Sequence, residues 1–371
     1  MTELALNVRS WGQTGAKLLL QSFAAQWFLF VIPCFYLATN TWFFSQIPHH
    51  MVAPFWEIVQ DFVELSLPVG LGLLFIGRFI QYALFIKPES LTQAAITDVK
   101  NIFTKPAMIV TGLPLVIAMF FYNKAMIELK PEIPTINPFK WDETFVQLDR
   151  TLHFGIDPWR LLQPIMGYAP ITFVSNLAYD FWFLALFGSW VWFAFQKKPG
   201  LLRTRFFISY MLIWWIGGGL LAVAFSSAGP CYFGNLGLQP NPYVDLMSYL
   251  NGVNERLPIW ALDAQKLLWD GYTGKSDPLG ISAFPSMHNA SAVLFALTFR
   301  QVSKAWGRFF AAYAVLILLT SVHLGWHFAV DGYAAIILAF ACWFLSAPIA
   351  RHVHAMPAMK RYQESLAAQP T

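Results

Sequence analysis

The chain is 371 residues long, 57% hydrophobic, only 12% charged, and carries a net charge of +4. A soluble protein of this length needs more polar surface, so the composition predicts a polytopic membrane protein, and the absence of a long Lys/Arg run argues against a nucleic-acid partner. Cys34, Cys231 and Cys342 have no metal-type spacing, and two of them lie in apolar segments, which argues against a disulfide framework.

Membrane-crossing helices need roughly 17–25 apolar residues. Runs that meet this expectation are 18–45, 66–86, 107–127, 171–195, 206–226, 286–303, 308–326 and 330–349. The first is overlong and lacks a signal-peptidase exit, so it reads as a retained span. Lys87, Lys100, Lys105, Lys197, Lys198, Arg203, Arg205, Arg300, Lys304, Arg308 and Arg351 fall in loops on one side. The positive-inside rule makes that side cytoplasmic, with both termini there. Short loops suggest a bacterial inner membrane, and the opposite side is then periplasmic; in a eukaryote the same topology puts it in the Golgi lumen. Two long segments, 128–170 and 227–285, lie on that outer side. In the first, Phe145, Leu148 and Leu152 suit an amphipathic helix on the membrane, and a second amphipathic stretch spans Val253–Trp269. Together they are expected either to form a lid or to be ordinary loops with interfacial anchors. No internal repeat is visible. The expected division is N-terminal helices over 1–130, a catalytic membrane domain over 131–350, and a cytoplasmic tail over 351–371.

Chemistry-bearing residues collect on the outer side. His288 follows Phe284-Pro285-Ser286-Met287 at the start of one apolar run. His323, His327 and Asp331 recur at steps of four, which on one continuous helix turns each only about 40° from the last and places all three on one face. A helix-end histidine alone can simply cap a helix. Asp331 lies just inside an apolar run, where an unpaired carboxylate is costly, and His327 is its natural partner. Two histidines and an aspartate can move a phosphoryl group without metal: one histidine attacks, the aspartate orients it, and the other histidine protonates the leaving oxygen. The same residues with His323 also suit a zinc or iron site, and a transporter is a further reading, though it needs broken helices near the midplane.

Phe284-Pro285-Ser286-Met287-His288 and His327-x-x-x-Asp331 resemble the second and third signature motifs of the type 2 phosphatidic acid phosphatase (PAP2) superfamily. The wider stretch from Ser282 to His288 is similar to the branch containing fungal inositol phosphorylceramide synthase and its bacterial relatives. The resemblance covers about residues 140–350. It implies an all-α bundle of about eight transmembrane helices, with a six-helix core and amphipathic helices on the outer face. It further implies His327 as nucleophile, Asp331 as its orienting partner and His288 as general acid and then base. Ser286 and nearby N–H groups would hold phosphoryl oxygens. No cofactor is implied. The implied partners are a phospholipid donor, a lipid or glycan alcohol acceptor and the surrounding membrane lipids.

Two departures stand out. Where the phosphatase form of the third motif has Arg, six residues before the histidine, this chain has Ser321, as lipid phosphotransferases typically do. Lys198 and Arg205 have the spacing of the first phosphatase motif, but Phe206 replaces its Pro, and both are assigned to the cytoplasmic side. The phosphate-binding cation is therefore open among Arg150, Arg256, Lys266 and Lys275. Further substrate-binding expectations are His323, Asp180 and Tyr232, each also readable as a structural group. Transfer to an alcohol and hydrolysis by water differ only in the acceptor, and both remain open, with transfer favoured by Ser321 and the long outer loops.

Overall fold

The structure, a computed structural model, describes residues 15–47, 87–104, 107–196 and 198–368, with isolated positions between 60 and 82. The predicted span 66–86 falls largely outside the described residues. Among the described residues the fold is all-helical. The long helices are α1 (Gly15–Phe44), α3 (Ala107–Ile136), α6 (Ala169–Ala194), α7 (Leu201–Ala224), α11 (Lys304–His323) and α12 (Ala329–Ala355). These six are long and apolar enough to cross a membrane and coincide with six of the predicted spans. The chain is an integral membrane protein. The predicted span at 286–303 is also helical, as α10 (Met287–Val302), but has only 16 residues. Ser286 ends the preceding extended segment and caps α10 by accepting the Asn289 N–H; Ser303 caps α11 in the same way through the Trp306 N–H.

Shorter helices complete the fold: α2 (Leu91–Thr104), α4 (Asp142–Leu152), α5 (Pro158–Met166), α8 (Val244–Asn254), α9 (Trp260–Tyr272) and α13 (Pro357–Ala367). The stretch read as one amphipathic segment over Val253–Trp269 is divided between α8 and α9. Pro258 lies in the break, and the Asn254 side chain accepts the Ile259 N–H across it. The expected apolar face of α4 is also revised. Asp142, Phe145, Val146 and Asp149 are buried, whereas Leu148 and Leu152 are exposed. The helix turns two of its three carboxylates inward and leaves Glu143 exposed.

The core of the bundle is α10 packed against α11 and α12, with α7 against α12 and α10. The N-terminal helices join it through α1 and α3, which pack together and reach α7. The 130/131 division falls inside α3. The C-terminal segment expected to be a tail is docked: Met359 and Tyr362 of α13 are fully buried, and the Tyr362 hydroxyl lies 2.8 Å from Thr111 Oγ1 of α3.

Arg203 departs most from the sequence expectation. It was counted among the loop charges, yet it is 1% exposed. Its guanidinium donates to Gln26 Oε1 of α1 (2.6 Å), the Thr111 carbonyl of α3 (3.0 Å) and the Phe193 carbonyl of α6 (2.8 Å). Its planar donor fork thus satisfies groups on three helices at once. Arg205 instead stacks on the Trp343 ring (3.6 Å) and donates to the Trp343 carbonyl. The pair sits in packing roles around α7 and α12, with Phe206 fully buried beside them.

Replacing Arg203 by Ala leaves the Gln26, Thr111 and Phe193 acceptors without this donor. The expected result is a loss of about 3 kcal/mol or more of unfolding stability, read by thermal or denaturant unfolding in detergent.

Candidate active site

The chain linking α11 to α12 sets the geometry. α11 ends at His323, the backbone turns through Leu324 and Gly325 (φ +74°), and α12 begins at Ala329. A left-handed residue here suits glycine and breaks the helix. The expectation that His323, His327 and Asp331 share one helix face is therefore corrected: His327 stands in the turn between two helices. Its contact with Asp331 survives by another route. Asp331 occupies the first turn of α12, and its Oδ2 accepts the Phe328 N–H (3.0 Å) and lies 3.2 Å from His327 Nδ1. An acidic group in a first helical turn is favoured by the unpaired N–H groups there.

His323 goes elsewhere. It is fully buried, and its Nε2 lies 2.9 Å from Thr172 Oγ1 of α6, which in turn lies 2.8 Å from the Tyr249 hydroxyl of α8. No group of three or more His, Cys, Asp or Glu side chains placed to share a metal ion occurs among the described residues.

The motif containing His288 meets the His327 turn directly. The Ser286 N–H donates to the Asp331 carbonyl (3.1 Å), and the ring centroids of His288 and His327 are 6.4 Å apart. Ser286 Oγ is buried and accepts Asn289 Nδ2 (2.9 Å), and that amide also reaches Ser321 Oγ (3.3 Å). Ser286 thus serves here as a helix cap and a link to α11. Ser321 is fully buried; its carbonyl accepts the N–H groups of Trp326 and His327. A guanidinium at that position would enter a packed, already bonded interior, which accounts physically for a small residue there.

His288 is held by aromatic rings that sequence reasoning missed. Tyr179 stacks on it at 4.5 Å and Trp182 lies at 4.1 Å, both from α6, while Tyr179 also stacks on Trp326 beside His327. The only sequence signal was their spacing of three on a helix already flagged by Asp180. Asp180 itself is half-buried and accepts Asn176 Nδ2 (3.1 Å), whose Oδ1 accepts the Ala261 N–H at the start of α9. Tyr232 is 3% exposed and donates to the Gln265 carbonyl, pinning α9 down rather than lining open space. Gln265 Nε2 in turn bonds the Leu324 carbonyl in the His327 turn.

The carboxylates of α4 are the second group missed. Asp149 accepts the Ala329 and Val330 N–H groups of α12, both at 2.9 Å. Asp142 accepts the Ala228 and Gly229 N–H groups, and the same loop's Ser227 carbonyl accepts the Ala283 N–H. One helix therefore holds the start of α12 directly through Asp149, and through Asp142 it holds the Ser227–Gly229 loop on which the His288 segment rests. Burial raises both acids; the backbone donors oppose the rise, and Asp149 reaches about 7. Their signal was the i, i+3, i+4, i+7 register of Asp142, Phe145, Val146 and Asp149.

His327 is 7% exposed, and burial lowers its pKa to about 3, with the Ala283 backbone opposing that and the Lys130 charge adding to it. The ring is neutral at neutral pH. With Nδ1 directed at Asp331, the tautomer that donates to the carboxylate carries its ring lone pair on Nε2.

The sequence-derived cations are engaged or remote. Arg150 donates to Asp157 (2.6 Å), Lys266 pairs with Asp270 (2.7 Å), and Lys275 lies 4.0 Å from Asp270. Arg256 is exposed just beyond α8. Neither Arg256 nor Lys275 hydrogen-bonds or ion-pairs with His288, His327 or Asp331.

A family model described as the PAP2 superfamily matches residues 143–345. That is more than half of the chain, and the chain belongs to this superfamily, an enzyme of the phosphatase or phosphotransferase type. No curated protein and no solved structure matches it.

Asp149 binds a proton more tightly folded (pKa about 7) than unfolded (about 3.9), so its contribution to stability falls as pH rises from about 4 to 7. Thermal unfolding across that window is expected to show the wild type losing stability relative to Asp149→Asn as pH rises. Equal slopes for the two proteins would contradict the assignment.

Proposed function

We propose that the chain is a membrane phosphotransferase that moves a phosphoryl head group, of the inositol-phosphate kind, from a phospholipid to a lipid or glycan alcohol through a phosphohistidine. The observation that carries this reading is the joining of two motifs: His327 Nδ1 on Asp331, with His288 facing it across 6.4 Å between ring centroids.

In the first step His327 Nε2 attacks phosphorus, a P–N bond forms and the P–O bond to the leaving lipid alcohol breaks. His288, protonated once the anionic phosphoryl group lies beside its buried ring, gives its proton to that oxygen. Asp331 stabilises the charge that develops on the His327 ring. In the second step neutral His288 takes the proton of an acceptor hydroxyl, the acceptor oxygen attacks phosphorus and the P–N bond breaks. The enzyme is restored with His288 protonated. Metal-independent chemistry and an outer-face, periplasmic site belong to this proposal.

Transfer rather than hydrolysis is supported by two features. Ser321 occupies the position of the phosphatase Arg, and α4 and α5 pack on α12 and α11 beside the His327 turn, where they would restrict water. The phosphatase reading uses the same residues with water as acceptor.

The test is product analysis with the purified chain in lipid-supplemented detergent and excess EDTA. Labelled phosphatidylinositol, phosphatidylglycerol and phosphatidic acid are offered with and without ceramide or another lipid alcohol. The expected result is a labelled head group on the acceptor, abolished in His327→Ala and reduced about 10²–10⁴-fold in His288→Ala. Free phosphate from phosphatidic acid as the main product would favour hydrolysis. Activity lost with EDTA and restored by one metal would overturn the metal-independent mechanism.

A further inference from the structure

A polar cleft lies between α1 and α3, on helices outside the family-matched segment. Its volume is about 370 Å³, within the roughly 300–1,000 Å³ of small-ligand sites. Asn40, Thr41 and Ser45 line one wall and Lys124 and Glu128 the other, with Phe44 as an apolar side. The cleft lies toward the helix ends that the charge pattern assigns to the outer side, where lipid headgroups meet the bilayer. The donors of the first wall are committed. Asn40 is 2% exposed; its Nδ2 donates to the Ala125 carbonyl (2.6 Å), and its Oδ1 has no hydrogen-bond partner among the described residues. Thr41 Oγ1 donates to the Leu37 carbonyl (2.9 Å) and Ser45 Oγ to the Trp42 carbonyl (2.6 Å), so both hydroxyls keep accepting capacity. On the other wall Lys124 lies 3.3 Å from Glu128, with side chains 13% and 18% exposed. An ion pair this far from water is costly unless further hydrogen bonds join it. The cleft therefore offers several acceptors and one paired ammonium, without net charge. A cation would compete there with Lys124 and an anion with Glu128, so its complement is an uncharged molecule rich in hydroxyl groups. Trp42 and Ile127, next in sequence to Thr41 and Glu128, are 62% and 65% exposed and give these helices an apolar outer face. Trp215 of α7 donates to Thr39, beside Asn40, while Trp214 donates to Ser291, one turn past His288. One helix thus stands between the cleft and His288.

We propose that this cleft binds the sugar headgroup of an uncharged glycolipid. The ring hydroxyls donate to Asn40 Oδ1, Thr41 Oγ1 and Glu128, and a ring oxygen accepts from Lys124. The acyl chains lie along the exposed apolar faces of α1 and α3. The site is separate from His288 and His327, and the inference does not rest on the phosphoryl-transfer reading. It gives the N-terminal helices a ligand of their own, beyond bracing the bundle.

The test uses the full chain in a polyoxyethylene detergent, which carries no sugar, with radiolabelled glucosyl diacylglycerol as the probe. Saturable binding is measured for the wild type, Asn40→Leu, Thr41→Val and Thr41→Ser, with unlabelled glucosyl diacylglycerol, phosphatidylcholine and free glucose as competitors. The wild type is expected to bind the probe saturably and to release it to the unlabelled glycolipid but not to phosphatidylcholine or glucose at the same concentration. Asn40→Leu and Thr41→Val should each weaken binding on the order of tenfold, while Thr41→Ser stays close to wild type. Thr41 is exposed, so Thr41→Val should unfold at the wild-type temperature and carries the test even if Asn40→Leu fails to fold. No saturable binding, or equal displacement by phosphatidylcholine, would overturn the recognition of a sugar headgroup. Equal displacement by free glucose would overturn the lipid as its source. Saturable binding unchanged in Thr41→Val would overturn the placement of the site in this cleft.

Discussion

Two carboxylates share the N-terminus of α12, and the site depends on that arrangement. Asp331 accepts the Phe328 N–H from within the helix, and Asp149 accepts the next two N–H groups from α4. Unpaired N–H groups at a helix start attract anions, and here they hold two acids in a buried setting. Because Asp331 is fixed in this way, Nδ1 of His327 has a set partner. Because Asp149 is fixed, the surface helix α4 is tied to the start of α12, beside the His327 turn. With Asp149 on the Ala329 and Val330 N–H groups, these two donors are not open to another anion.

Around this anchor the bundle joins segments distant in sequence through single polar contacts. Ser286 bonds the Asp331 carbonyl, Asn289 links Ser286 to Ser321, and Gln265 bonds the turn that carries His327. Each bond is of modest net strength, but each involves a buried group whose loss would leave an unsatisfied partner. The result is a rigid frame in which His288, stacked between Tyr179 and the edge of Trp182, faces His327 without any direct bond between the two. Arg203 does comparable work away from the two motifs, gathering acceptors from α1, α3 and α6.

Six of the spans and the meeting of His327, Asp331 and His288 were legible in the sequence because they rest on local rules. Six apolar runs became long helices, and Asp331 found His327 because an intramembrane carboxylate needs a partner. The route to that contact was not legible. A spacing of four reads equally as one helical face or as a turn followed by a helix start, and only Gly325 hinted at the break. Asp142 and Asp149 were passed over because an apolar stripe was sought in α4 and Leu148 and Leu152 supplied one, whereas burial followed the carboxylates, which had backbone donors waiting. Tyr179 and Trp182 were hidden among many membrane aromatics. Ser286 was expected to meet substrate; the bonds its Oγ accepts from Asn289 are set by helix capping.

The central claim is that His327 forms a covalent bond to phosphorus, and the most direct measurement is to look for that bond. The enzyme is incubated briefly with ³²P-labelled phospholipid, quenched in alkali, digested and mapped by mass spectrometry. The account predicts label on the peptide containing His327, stable in alkali and lost in mild acid as a P–N bond should be, and absent from His327→Ala. Turnover of the same substrate with label on another residue, or with no covalent species under conditions that trap the first step, would contradict it.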